Sequence, residues 1–506
     1  LNERDSKALQ GAGADQDDLA ALASGGRTNV FGFFLRLGAR IPFLFIAGRL
    51  YGADHLGRFA LAVLVVEFAA QLATLGLKRG LAEQLSSGKQ PDTHVIFDAL
   101  LLCLTTSVVV SGALIAFPQA MFPNSAINGL DWLLPLIIFP LAATDIALAA
   151  CAFRYDIAAT VRARSIIEPW TLSIGAAALY LYSARDGLIL AYVLSMLAAM
   201  LAAIPPLFRH FGLPHGWRPH PLRLWTLARR NLPLAAADAI EWGTRRLDLW
   251  ILGLFATPAI AGIYYVAQQL ASLPQKLKSS FEPILGPVIS RNVAQKNYRA
   301  IAEQVGQVGF WILAAQIGIA LSLGFPGEVA MGVVGPQFTG GTIALAFLLA
   351  AEVAASPAVV SEAALVYLAR VRNVMMSIGV IAIQALFSVG LILLARQLDL
   401  GEAWIAASPA AALALALAIG SLIKGRYLAR LTGAPIRTWR LSLVGSAMVA
   451  SIVGGAFLAI PREMEWARLA IGMPVILIVY FALIWRFGFD ETDRTLFRRQ
   501  MPGMNK

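Results

Sequence analysis

The ionisable side chains that interrupt otherwise apolar stretches are the first candidates for chemistry. Between residues 232 and 255 stand Asp238, Glu241, Arg245, Arg246 and Asp248. At 100° per helical residue, Asp238, Glu241, Arg245 and Asp248 fall at about 0°, 300°, 340° and 280°, one narrow face. An ionised group inside a bilayer costs about 2.5–3.5 kcal/mol on insertion scales, so such a face turns toward a bundle interior or a wet cavity. Glu241 and Arg245, and Arg245 and Asp248, also have the i, i+4 and i, i+3 spacing of intrahelical pairs. Arg245 therefore either helps its helix insert or lines a cavity. Arg36 and Arg40 differ because their own helix offers no acid. They share a face with Asn29, and their guanidinium forks match phosphate oxygens. Pairing with Glu67, Asp145 or Glu352 on other helices is the competing role. Glu67, Asp145, Glu352 and Glu362 are expected to be structural partners, with H+ or Na+ coupling as the alternative and no sodium-site pattern in sight. Acids within the apolar stretches are at least as numerous as arginines, so no purely cationic cavity is expected.

Membrane helices must position these groups. Of 506 residues, 58% are hydrophobic and only 14% charged, against roughly a quarter charged in soluble proteins. The mean hydropathy is +0.69. Too little charge exists to coat a soluble fold, which excludes a soluble enzyme, a disordered chain and a disulfide-rich secreted module. Hydropathy predicts fourteen spans, approximately 28–50, 56–77, 95–117, 131–153, 165–183, 187–208, 232–255, 257–275, 306–325, 338–368, 373–395, 403–423, 441–460 and 465–485. The tenth is long enough to be tilted or broken, with Pro357 the expected place. No connection is large enough for a separate soluble domain.

Basic residues set the orientation. With the N-terminus inside, thirty-one Lys and Arg fall on the cytoplasmic side and six (Arg49, Arg58, Arg185, Arg396, Arg462 and Arg468) on the other. That asymmetry predicts both termini in the cytoplasm and an even number of spans. It also accounts for the net charge of +11 without nucleic acid. The opening polar segment to Arg27 has no signal-peptide pattern and is expected to be a solvated tail. Cys103 and Cys151 sit in apolar runs without metal or redox spacing, and read as core residues. His210, His215 and His220, with Trp217, read as an interfacial linker rather than a metal site. No GxxxxGK[ST], HExxH or GxSxG occurs, so neither ATP hydrolysis nor these catalytic sites are expected. No cofactor is implied.

The chain also repeats itself. Gly57-Arg58-Phe59-Ala60-Leu61-Ala62 returns 205 residues later as Gly262-Ile263-Tyr264-Tyr265-Val266-Ala267, and the same offset carries Arg40 onto Arg245. Each segment opens a set of six spans. The expected fold is all-α and polytopic, with about 14 transmembrane helices in two pseudo-symmetric six-helix lobes plus a C-terminal helix pair. Its expected parts are a tail (1–27), a lobe (28–208), a basic linker (209–231), a second lobe (232–427), the extra pair (428–486) and a second tail (487–506).

These residues carry a family likeness. Arg49-Leu50-Tyr51-Gly52, Gly57-Arg58-Phe59-Ala60 and Leu75-Gly76-Leu77-Lys78-Arg79 resemble the opening of bacterial polysaccharide-biosynthesis flippases. Arg246-Leu247-Asp248-Leu249-Trp250-Ile251-Leu252-Gly253, Gly262-Ile263-Tyr264-Tyr265-Val266-Ala267, Pro287-Val288-Ile289-Ser290 and Val334-Gly335-Pro336-Gln337-Phe338 continue that pattern, over roughly residues 28–430. The resemblance is to the oligosaccharidyl-lipid branch of the multidrug/oligosaccharidyl-lipid/polysaccharide exporters. It implies a bacterial inner-membrane flippase for a polyprenyl-diphosphate-linked glycan, with membrane lipids and other polysaccharide-assembly membrane proteins as partners. For such a substrate Arg36, Arg40, Arg245 and Arg246 become expected diphosphate contacts, since fixed cations lower the barrier to carrying an anion through an apolar slab. A cation-coupled multidrug antiporter and a membrane glycosyltransferase or polymerase are the rival readings.

Overall fold

A bilayer leaves no water to satisfy backbone N–H and C=O groups, so long apolar stretches must close their hydrogen bonds within themselves as helices. In the computed structural model they do. The structure describes residues 38, 41–88, 90–127, 129–279, 289, 292–293, 295–461, 464–490 and 493–494, and among these no strand occurs. Helix α1 (41–51) closes in a π-helical turn, Ala47–Tyr51, and leads into α2 (Gly52–Ala73) and the short α3 (Leu77–Ser86). There follow α4 (Asp92–Ala116), α5 (Leu133–Phe153), α6 (157–180, π-helical over Val161–Ile167), α7 (Gly187–Phe211) and α8 (Pro221–Phe255). Then come α9 (Pro258–Ser279), α10 (Tyr298–Gly324), the short α11 (Gly327–Val334), α12 (Thr342–Leu368), α13 (Arg370–Gln397), α14 (Glu402–Thr432), α15 (Leu441–Leu458) and α16 (Glu465–Gly488).

Each of the fourteen expected spans has its helix, the first described only from residue 41. Ten described segments are long and apolar enough to cross a membrane, Ile41–Ser86 counting as one. α6, α8 and α9 fall outside that set. In α8 the reason is the run of five charges from Asp238 to Asp248. Large side chains such as Val109, Leu386 and Ile452 are more than 70% exposed, which suits a surface solvated by lipid rather than water.

The chain divides into two compact units between Gly243 and Thr244, inside α8. In the first, α5 packs against α2, α4 and α7, and Leu56, Ile96, Ile138 and Ile146 are fully buried. The first repeat motif is structural here. Arg58 pairs with Asp131, stacks over Phe122 at 4.3 Å and donates to the Ala126 carbonyl at 3.1 Å, fastening the loop before α5. The connection after α7 is fastened too. Thr93 donates to the Phe211 carbonyl at 2.8 Å, and Trp217 Nε1 to Asp98 Oδ1 at 2.9 Å. His210 Nε2 lies 2.9 Å from Asp156, which caps α6 through the Ala159 amide. Burial opposes ionisation of Asp156, but these hydrogen bonds and the nearby His210 and Arg162 charges outweigh it and hold the carboxyl below its usual range.

In the second unit α14 packs along α12 and α13. α12 runs through Pro357 as one helix, so of the two expected alternatives, tilt or break, the break does not occur. The Ser361 hydroxyl donates to the Pro357 carbonyl at 2.9 Å and that of Ser356 to Glu352 at 2.9 Å. The final pair, α15 and α16, docks on α10 through Phe310, Leu313 and Ile317 against Leu443, Ala450, Ile476, Tyr480 and Ile484.

One buried carboxylate fastens that dock. Asp493 is 0% exposed and accepts from Gln307 (3.0 Å), Trp311 (2.9 Å), the Asp490 amide (3.0 Å) and Arg440 (2.8 Å). Arg440 also stacks over Phe310 at 3.8 Å. Burial alone would raise the Asp493 carboxyl, yet those donors hold it below the usual range. A depressed carboxylate stabilises fully above its unfolded value, near pH 4, and loses that contribution as pH falls through the folded value. Asp493→Asn should therefore lower the melting temperature at neutral pH by more than it does below about pH 4. An equal loss at both pH values would show that the charge is irrelevant.

Candidate functional site

In the first unit the charged groups gather where α2 ends. Leu75 (φ 48°) and Gly76 (φ 72°) turn the chain in the left-handed region, and α3 begins at once. A Cβ on Gly76 would lie 2.6 Å from the Ala235 amide nitrogen, and one on Gly80 1.7 Å from Asn231 Oδ1. α3 thus lies directly against α8, and Lys78 and Arg79 project between the two glycines. Arg79 reaches Asp238 at 2.8 Å and Glu241 at 2.5 Å. Lys78 reaches Asp145 at 3.1 Å. Asp145 also pairs with Arg164, which holds Glu168 at 2.6 Å and the Leu141 carbonyl at 3.2 Å. The π-helical Val161–Ile167 carries Arg164 to this position.

These groups border a polar cavity of about 240 Å³ lined by Glu67, Gln71, Lys78, Asp145, Arg164 and Trp242, among others. Tyr192 donates to Glu67 at 3.4 Å, and Trp242 stacks on Phe68 at 4.4 Å between ring centroids. The lining is of mixed sign.

In the second unit Asp248 is 0% exposed. Tyr264, from the repeated motif, donates to one carboxylate oxygen, and Gln268 Nε2 lies 3.3 Å from both. Among the described residues no basic side chain lies within ion-pair distance of Asp248. Farther along, Lys424 is 7% exposed at its side chain and sits 2.9 Å from both Glu362 and Ser377. Glu352 is half-buried on α12.

Of the expected arginines, Arg245 is exposed and Arg246 half-buried on α8. Arg36 and Arg40 lie outside the described residues, as do the tail 1–27, the motif residues Pro287, Val288 and Ser290, and most of 487–506. Sequence reasoning missed Lys78, Arg79, Arg164 and Lys424 as site groups, counting all four as loop charge. Glu168 four residues after Arg164 was the available signal. His210 lies in the last turn of α7 and His215 in the fastened connection after it, and among the described residues no cluster of three or more His, Cys, Asp or Glu could hold a metal.

Solved structures share this all-helical, multi-pass fold. A lipid II flippase, MurJ, in an inward closed conformation superposes with a TM-score of 0.66 at 14% identity, covering 93% of this chain and all of the other. A multidrug resistance MATE family transporter of the MOP superfamily, inward-facing, gives 0.63 at 13% identity over 79% of this chain and 95% of its own. A MOP superfamily transporter from Pyrococcus furiosus gives 0.54 at 13% identity over 81% and 96%. No curated protein matches the sequence. The family model for polysaccharide biosynthesis proteins matches residues 46–314. The chain belongs to that family.

Proposed function

We propose that this protein is a secondary flippase that carries a polyprenyl-diphosphate-linked oligosaccharide from the cytoplasmic to the outer face of a bacterial inner membrane. It works by alternating access of the two six-helix lobes, 28–208 and 232–427, without ATP hydrolysis or other enzymatic chemistry. The observation that carries the reading is membership of the polysaccharide biosynthesis family by a chain with a flippase and transporter fold. Both termini lie in the cytoplasm, as the charge asymmetry implies. Arg40 and Arg245, related by the 205-residue offset of the sequence repeat, contact the diphosphate, with Arg36 and Arg246 as helpers. Asp248, buried with two hydrogen-bond donors and no ion-pair partner among the described residues, is the acid best placed to take up a coupling proton.

Reconstituted vesicles test this against its rivals. The flippase reading expects ATP-independent transbilayer movement of a lipid-linked sugar. An antiporter gives cation–drug exchange instead, and an enzyme gives sugar transfer. Losing a bidentate charge-assisted contact costs about 1.5–3 kcal/mol, so Arg40→Ala should slow movement about tenfold or more. Arg40→Lys, which keeps the charge, should slow it less. If Arg40→Ala and Arg245→Ala both insert normally and move the lipid at the wild-type rate, the diphosphate site lies elsewhere.

A further inference from the structure

α8 is longer than a bilayer requires. Its 35 residues extend about 52 Å, against about 30 Å of hydrocarbon. With the stretch 232–255 in the apolar core, the turns from Pro221 overhang it by roughly 16 Å, and Pro233 at the junction lets them bend toward the membrane surface. That overhang is one-sided. Asn231, Ala235 and Asp238 are buried toward the unit. On the opposite face Leu222, Trp225, Arg229 and Leu232 fall within about 80° of one another. Leu222 is 73% exposed, Trp225 69% and Leu232 58%.

A helix projecting into water has no reason to present leucine and tryptophan outward beside arginines. A helix lying in the headgroup layer does, because tryptophan prefers that depth and arginine reaches phosphates while burying its stem. The stripe is also continuous with the membrane surface, since Leu232 both ends it and opens the apolar span. Arg218, Arg223 and Arg229 are all exposed. Among the described residues none has a carboxylate within ion-pair distance, whereas Arg230 is paired with Glu83 at 2.5 Å. The segment leading in is held by the Trp217–Asp98 hydrogen bond, so Arg218 begins from a fixed point.

We propose that residues 218–232 form a docking surface for the anionic phospholipid headgroups of the surrounding bilayer. Leu222 and Trp225 insert beside the acyl chains, and Arg218, Arg223 and Arg229 bind the phosphates. Each arginine near an anionic surface contributes on the order of fivefold in local affinity, and salt screens that contribution.

The test uses the full chain with Cys103→Ala, Cys151→Ala and Leu222→Cys, the new thiol carrying a bimane fluorophore. The protein is reconstituted in brominated phosphatidylcholine alone or mixed with brominated phosphatidylglycerol. Bromine should quench the label in both, and several-fold more strongly with phosphatidylglycerol. High salt should remove the difference, and so should combined Arg218→Gln, Arg223→Gln and Arg229→Gln. The corresponding triple change to Lys should retain it, and also serves as the folding control. No quenching in either lipid would place the segment off the membrane and overturn the proposal. Equal quenching in both lipids, or a phosphatidylglycerol effect that survives the Gln changes, would overturn headgroup recognition. Reversal of the effect by added inorganic diphosphate would assign the arginines to a soluble anion instead. No transport is read, so the result stands apart from the flippase reading.

Discussion

Arg164→Ala is expected to destabilise the protein by about 3–5 kcal/mol, the range for removing one partner of a buried ion pair. The Arg164 side chain is 14% exposed and joins Asp145, at 18%, to Glu168, at 25%. Truncation leaves two carboxylates facing a cavity inside a membrane unit. Only Lys78, itself half exposed, remains to answer one of them. Lysine at position 164 has a single ammonium in place of a fork and cannot hold both acids as arginine does. Arg164→Lys should therefore fall between wild type and Ala. The decisive comparison is the double variant Arg164→Gln with Asp145→Asn, which removes opposite charges together. It should melt above Arg164→Ala in the same detergent, because the largest penalty is the uncompensated charge rather than the lost attraction. If Arg164→Ala melts with wild type, Arg164 is a solvated cation and the packing around the cavity needs no ion pair.

Why the helices were legible and this network was not follows from what hydropathy measures. A span is a local property of about 20 residues, so α4, α7 and α13 stand out from composition alone. An ion pair is a property of the fold. Arg79 and Glu241 are 162 positions apart, and Lys78 and Asp145 67 apart. Lys78, Arg164 and Lys424 sit at the margins of apolar runs, where counting charges assigns them to the basic side. The folded chain instead brings Arg164 and Lys424 inward, to Asp145 and Glu362. The charged stripe on α8 was legible as a face but not as a set of partners. Asp238 and Asp248 are buried while Glu241 and Arg245 are exposed. The helix passes from one unit to the other between Gly243 and Thr244, so its single face meets different neighbours along its length. Pro357 marks where a local rule leaves two outcomes open, tilt or break, and the folded α12 stays one helix through it.

Gly76→Val should be among the most damaging single substitutions in the first unit. Two independent costs fall on one residue. At φ 72° a β-branched side chain is strained by about 1–3 kcal/mol. Its Cβ would also sit 2.6 Å from the Ala235 nitrogen and 2.8 Å from the Asn231 carbonyl oxygen, both backbone atoms that cannot rotate away. Overpacking of that kind adds about 1–3 kcal/mol. Relief requires α3 to move off α8, which draws Arg79 away from Asp238, a carboxylate only 2% exposed. Gly76→Ala meets the same backbone with less bulk and should rank second. Gly80→Ala should rank third, because the atom in its way is the end of the Asn231 side chain. That side chain is not free to swing at no cost, since it is buried and donates to the Leu227 carbonyl at 2.9 Å. Melting temperatures in detergent should therefore fall in the order Gly80→Ala, Gly76→Ala, Gly76→Val. Asp238→Asn should recover part of the loss in Gly76→Val by removing the stranded charge, but not the part that comes from the backbone. A Gly76→Val protein that melts with wild type would mean that α3 and α8 do not approach this closely, and the Arg79–Asp238 pair would lose its structural basis.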